Sequence, residues 1–462
     1  MANLLSTVAI ALVVSSGAQA SDRDLLHRNG QRGIAYETIA VPGAPSSSAP
    51  LRGVPVREIA LDGDGTVNVR GNIYPIDVDK DGTWELLHFN GYRLMRVLRQ
   101  DGTKLWQIGN PDGRVHRDNV HRDTLAIIDV DGDGDQDIVH CWSAPGSQKR
   151  FLVARAGRTG QVIRQIPLPG TADSECQIAV FNMQGAGTTI FVAANANPDA
   201  NCHGNFIDRW ARTLAFNLSF AKRWERSTCE SGHYLWPVGA GPGRTTAAVA
   251  IGKYIVDSAG KLICTLKEFG KDHVDSMAVG DLDPASPGLE IVAVGATGTR
   301  AYGYVPGKPC RFLWSIPNSV IPGQQHAIMA KLDPSSPGLS VAIRTEGSMQ
   351  AREGTYLVDR HGHVLRFNAN QRFAPVENAN LDGALGTDEL AGGEGWVMGP
   401  TGNIRLDDTW YRKLDHLSAS EQRLSRYDQW TYRPVWFDLQ GDGRDELITW
   451  GRHMIVIGRI GF

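Results

Sequence analysis

An acidic loop of one design returns along this chain at near-regular intervals, and no other feature narrows the fold so far. Asp77-Val-Asp79-Lys-Asp81-Gly leads into Glu85-Leu-Leu, Asp129-Val-Asp131-Gly-Asp133-Gly into Asp137-Ile-Val, and Asp438-Leu-Gln-Gly-Asp442-Gly into Glu446-Leu-Ile. Asp281-Leu-Asp283-Pro and Lys331-Leu-Asp333-Pro are variants with a Pro-Gly turn, and Asn380-Leu-Asp382-Gly is a looser one. With degenerate copies at 182 and 239, the starts fall near 77, 129, 182, 239, 281, 331, 380 and 438, about fifty residues apart. A unit repeated at that period cannot bury its apolar face alone and stacks on its neighbours; the period is that of a four-stranded propeller blade. The runs after the loops, such as Asp137 to Trp142, are β-rich and too short for helices. The expected fold is therefore all-β, a single β-propeller. It has seven or eight blades, depending on whether a terminal copy only helps to close the ring.

Composition fits this expectation: 52 Gly and 23 Pro in 462 residues supply the many turns. A net charge of -3 argues against a nucleic-acid partner and a basic membrane-binding surface. Leu4 to Val14 is apolar but too short to cross a bilayer, and the small residues Ala18-Gln-Ala20 follow it. Residues 1–20 thus read as a signal peptide, despite an n-region without Lys or Arg, with a buried N-terminal strand as the alternative. A secreted or periplasmic monomer without membrane insertion is expected. Residues 21–56 form an exposed lead-in and 57–462 the propeller. The six cysteines, at 141, 176, 202, 229, 264 and 310, allow disulfides in an oxidising compartment, and the sequence does not choose among the fifteen pairings.

Asp-x-Asp-x-Asp-Gly gathers carboxylates on one side of a tight loop. Asp77, Asp79 and Asp81, and likewise Asp129, Asp131 and Asp133, are candidate Ca²⁺ ligands. Asp in such turns also binds the local backbone with no metal present, so either way these acids fasten blades. Histidines are the better candidates for chemistry. His121, His273 and His326 each stand shortly before an acidic loop, and His140 follows one. Equivalent positions in a ring are related by rotation, so the first three are expected to face a common centre. Cys229, His233, His273 and His326 also offer the N and S donors of a zinc-type site.

Asn205-Phe-Ile-Asp208-Arg209-Trp210, then Ser231-Gly-His233-Tyr234-Leu-Trp-Pro, then His273-Val-Asp-Ser and the Gly280-to-Glu290 turn together resemble the β-propeller polysaccharide lyases. That group includes rhamnogalacturonan, ulvan and rhamnose-glucuronate lyases, and the resemblance covers most of residues 70 to 460. It implies cleavage of an acidic polysaccharide by β-elimination at a uronate, with no organic cofactor. It also implies that Arg209 binds the uronate carboxylate, that His121 and His140 form the active-site histidine pair, and that a structural metal of the zinc type is present. The strand that carries a catalytic tyrosine in these lyases reads Ile190-Phe191-Val-Ala-Ala here, which leaves Tyr234 as the substitute acid or base, or His121 or His140 acting alone as both. Glucuronate next to rhamnose, as in ulvan or gum side chains, is the substrate expected. Rhamnogalacturonan ranks lower, because those lyases generally carry an extra β domain that this length barely accommodates. The missing tyrosine favours the competing expectation, a non-catalytic integrin-like (FG-GAP type) propeller that binds glycans or proteins.

Overall fold

The structure, a computed structural model, describes residues 52–60, 72–90, 94–109, 125–143, 149–171, 176–194, 212–228, 235–239, 245–270, 272–332, 336–345, 354–369, 377–379, 389–392, 396–399, 402–405, 435–441, 446–450 and 454–461. These residues form eight four-stranded antiparallel sheets. Seven are consecutive meanders: blade 1 spans 72–109, blade 2 125–171, blade 3 176–227, blade 4 235–265, blade 5 276–317, blade 6 324–369 and blade 7 377–405. Blade 8 is composite. Its inner three strands are Val435–Phe437, Glu446–Trp450 and Met454–Gly461, and its outermost is the N-terminal strand Arg52–Ala60. The first and last described strands therefore pair within one sheet. All eight expected repeat starts fall where the first strand of a blade turns into its second, so the copies at 77 and at 438 both belong to full blades. The strand Arg52–Ala60 also starts the ring ahead of the expected boundary at 57.

First strands of neighbouring blades lie beside one another, as Ser276–Gly280 does against Gln324–Ala330, and so form the inner wall of the ring. The cores lie between blades. Ala126, Val139 and Leu152 of blade 2 pack on Ile178, Val192 and Phe216 of blade 3. Phe437 and Ile448 of blade 8 pack on Ile73 and Leu86 of blade 1. Middle strands such as Leu94–Leu98 are buried along their whole length, because a blade has a neighbour on each face.

The acidic loops fasten the inner strand to the second strand. In blade 2 the buried Asp137, which opens the second strand, accepts the Val130 N–H at 2.9 Å. Glu85 accepts from Val78 at 3.2 Å and Glu446 from Leu439 at 2.8 Å. Glu290 accepts from both Leu282 and Asp283, at 2.9 and 3.1 Å. Each loop also buries the apolar residue of the repeat, Val78, Val130, Leu282 or Leu439. Blade 6 reverses the polarity: the Lys331 ammonium donates to the carbonyls of Ser336 and Gly338.

Burial, with Asp281 and Asp283 adding to it, raises the Glu290 carboxyl to about 7; burial likewise raises Asp137 to about 6. An unfolded Glu releases its proton near ~4.3, so between that value and about 7 the native chain binds more protons. Stability contributed by this group consequently falls as pH rises through that window and is fully lost above it. The stability difference between wild type and Glu290→Gln, whose amide oxygen still accepts the two loop N–H groups, should move against the wild type as urea unfolding is measured from about pH 5 to 8.

Candidate functional site

Antiparallel alternation gives the ring two distinct ends. Each inner strand starts at the end where the second strand of its blade finishes, and the acidic loops lie at the opposite end. The strand ends that flank 110–124 (blades 1 and 2), 195–211 (blade 3) and 229–234 (blades 3 and 4) all lie at the first end. Those segments carry His121, Arg209 with Trp210, and Cys229, His233 and Tyr234, which lie outside the described residues.

Two of the sequence candidates, His273 and His326, are described at the same end. His273 precedes the inner strand of blade 5, and its imidazole is a quarter exposed. Its Nε2 lies 2.7 Å from Asp275 Oδ1, and its Nδ1 3.6 Å from Asp272 Oδ1. The segment is held from two sides. Lys253 Nζ donates to the carbonyls of Gly270 and Asp272 at 2.7 and 3.1 Å, and Asp272 Oδ2 accepts from the N–H and hydroxyl of Thr297 at 2.8 and 2.9 Å. His326 stands on the inner strand of blade 6, buried, opposite Arg344. The N–H of the next residue, Ala327, donates to the Ser276 hydroxyl at 2.8 Å, which ties the two inner strands together. His273 and His326 are thus brought to adjacent blades at one mouth of the ring.

The place of His140 corrects the expectation that it transfers protons. It is fully buried between blades 1 and 2, edge-on to Phe89 and Trp142. Its Nε2 accepts from Arg155 Nε at 3.0 Å, and its Nδ1 lies 3.0 Å from the Cys141 carbonyl, which makes Nδ1 the protonated nitrogen. Both nitrogens are engaged and neither reaches the mouth. Burial first, and the Arg155 charge second, lower its pKa to about 3. Blade 1 repeats the device, with His88 Nδ1 accepting from Arg96 Nε at 3.2 Å and a pKa lowered to about 3 by burial and Arg96.

At the opposite end, two groups of three acids bring carboxylate oxygens within 4.8 Å of one another: Asp77, Asp79 and Glu85, and Asp129, Asp131 and Asp137. The third member of each group is the acid eight residues after the first, not the expected Asp81 or Asp133. Those two cap local N–H groups, Asp81 that of Thr83 at 2.6 Å and Asp133 that of Asp135 at 2.8 Å. The +8 spacing, which recurs as Asp438 and Glu446, was the available signal. Asp79 Oδ1 is buried with no hydrogen-bond partner, and burial raises the carboxyls of Asp77 and Glu85. An all-oxygen group of uncompensated charge suits a hard cation. No other group of three or more such donors forms among the described residues, so the zinc-type set is not assembled there. His273 and His326 do not join one, and Cys229 and His233 lie outside.

An eight-bladed ring with a histidine-bearing mouth and an acidic-loop end is the class of protein that these observations define. No family model matches the chain. It is, however, distantly homologous to rhamnogalacturonan lyases. The rhamnogalacturonan endolyase YesW of Bacillus subtilis (strain 168) is 24% identical over 424 residues, 73% of this chain and 64% of its own length. The exolyase YesX of the same organism is 26% identical over 324 residues, 57% of this chain and 50% of its own. The chain thus spans less than two thirds of the length of either relative. Among solved structures, the Bacillus licheniformis rhamnogalacturonan lyase PL11 has a TM-score of 0.59 at 18% identity, covering 89% of this chain and 76% of that one. The YesX structure has a TM-score of 0.57 at 18% identity, covering 87% and 75%.

A histidine held neutral has a pH signature opposite to that of Glu290. The unfolded chain binds the extra proton first, near ~6.5, so stability carried by His88 and His140 is lost as pH falls from there to about 3. Nitrogen NMR should find His140 neutral, with its proton on Nδ1, at about pH 5. His140→Ala, which leaves the Arg155 guanidinium without this acceptor, should cost about 2–4 kcal/mol in urea unfolding at neutral pH.

Proposed function

We propose that this propeller is a polysaccharide lyase that breaks a glycosidic bond by β-elimination at a uronate in a rhamnose-containing polymer. The observation that carries the proposal is sequence similarity to two rhamnogalacturonan lyases, one of them matched over 73% of the chain. Elimination needs a cation on the uronate carboxylate to make the C5 proton removable, a base to take that proton, and an acid for the departing oxygen. A guanidinium forks onto a carboxylate and never loses its charge, which suits Arg209 to the first task. With His140 enclosed, His121 and Tyr234 are the proposed proton-transfer residues. The support for this grouping is topological: the strand ends flanking all three segments lie at one mouth, in consecutive blades.

The names of the curated relatives put rhamnogalacturonan first among substrates, ahead of the glucuronate-rhamnose polymers favoured by the sequence motifs. Disulfides in the ring support an oxidising, secreted or periplasmic setting. Incubation with rhamnogalacturonan, ulvan and gum arabic should produce the ultraviolet absorbance of an unsaturated uronate with at least one of them. Arg209→Ala should lower kcat/KM by roughly 10²–10³-fold with no change in Tm. New reducing ends without absorbance would make the protein a hydrolase, and binding without either product a non-catalytic propeller.

The two acidic groups are proposed as Ca²⁺ loops, supported by their oxygen-only donors and the unsatisfied Asp79 Oδ1. Ca²⁺ bound there would steady the blade 1 and blade 2 loops and take no part at the opposite mouth. Calcium should raise Tm in a concentration-dependent way, by RT ln(1 + [Ca²⁺]/Kd) in stability, and Asp79→Asn should remove part of the gain. A Tm indifferent to millimolar-range calcium and to chelator rules the loops out as cation sites.

A further inference from the structure

Two kinds of seal alternate over five consecutive blade interfaces, from 1–2 to 5–6. At the blade 1–2 interface, Trp106 of the fourth strand of blade 1 donates its Nε1–H to the Gly157 carbonyl at 2.6 Å, in the turn before the last strand of blade 2. Its ring covers Gly160 of that turn, where φ is +69° and a Cβ would stand 2.7 Å from the indole. Trp224 repeats this from blade 3 to blade 4 with the Ser258 carbonyl, at 3.0 Å, and Gly260. Trp314 repeats it from blade 5 to blade 6 with the Arg360 carbonyl, at 2.9 Å, and Gly362.

Register shows that the three tryptophans occupy one position, the residue paired just before the bulge between third and fourth strands: Val97 with Trp106, Ala215 with Trp224, Ala301 with Trp314. In blade 4 that position is Cys264, paired with Ile255, and it is disulfide-bonded to Cys310 beside the corresponding turn of blade 5. In blade 2 it is Arg164, paired with Ala154, and the 2–3 interface carries the other described disulfide, Cys141–Cys176, in its core. Interfaces 1–2, 3–4 and 5–6 are latched by indole, and 2–3 and 4–5 by sulfur.

We propose that these two disulfides make the ring redox-sensitive at defined seams. A dithiol attacks one sulfur of Cys264–Cys310 or Cys141–Cys176; the protein disulfide is reduced to two thiols while the reagent is oxidised to its own disulfide. Blades 2 and 3, and blades 4 and 5, then lose their disulfide cross-link, and the pairs 1–2, 3–4 and 5–6 stay docked through their tryptophans. The indole latch needs no redox partner, so the three tryptophan seams are indifferent to the same reagent.

The test is hydrogen exchange read by mass spectrometry on the folded wild-type chain, with and without dithiothreitol, with alkylation to confirm which cysteines are reduced. Exchange should speed up about tenfold or more in Cys176–Met183 and Leu262–Thr265, which face the sulfur seams, and should not change at the turns under Trp106, Trp224 and Trp314. The double variant Cys264→Ser/Cys310→Ser should reproduce the effect at the 4–5 seam without reductant, and Trp314→Ala should loosen the 5–6 seam in either redox state. Equal acceleration at all seams, none at any, or disulfides that the dithiol does not reduce in the folded ring overturns the proposal.

Discussion

A sheet with two apolar faces has nowhere to put either of them except against another such sheet, and closing the series into a ring satisfies every blade at once. The cores of this protein lie between blades and not within one layer, as with Phe437 and Ile448 against Ile73 and Leu86. Closure then has to be made without a free edge partner, and Arg52–Ala60 does it by adding the outermost strand to blade 8. The ring joins its own two ends by backbone hydrogen bonds between distant parts of the chain.

Polar groups buried by that arrangement must find fixed partners. Asp137 and Glu290 do so by accepting loop N–H groups, at the cost of holding carboxyls where water cannot stabilise their charge. His88 and His140 solve the converse problem by staying neutral and accepting from arginines. Buried acids and buried histidines therefore push the pH dependence in opposite directions. Asp137 also belongs to one of the oxygen clusters at the loop end, while the described strand ends that flank 110–124 and 195–211 lie at the other mouth.

Much of this was legible in the chain. The loop spacing predicted the blades, and each repeat start marks the turn from a first to a second strand, even at 182 and 239 where the acids are gone. The candidate site was less legible. His140 and His273 look alike in sequence, each near an acidic loop, yet one is enclosed between blades 1 and 2 and the other is partly exposed beside Asp275. The acids Glu85 and Asp137, opening their second strands, read as ordinary strand residues until the fold turned them onto the loops.

By itself the sequence determined the repeat, because local turn chemistry and short β-rich runs are properties of consecutive residues. Only the tertiary structure decided which histidines are enclosed, which acids meet, and that Cys264 stands where other blades carry Trp. Those outcomes depend on which face of a blade a side chain leaves from and on what the next blade, some fifty residues away, presents to it.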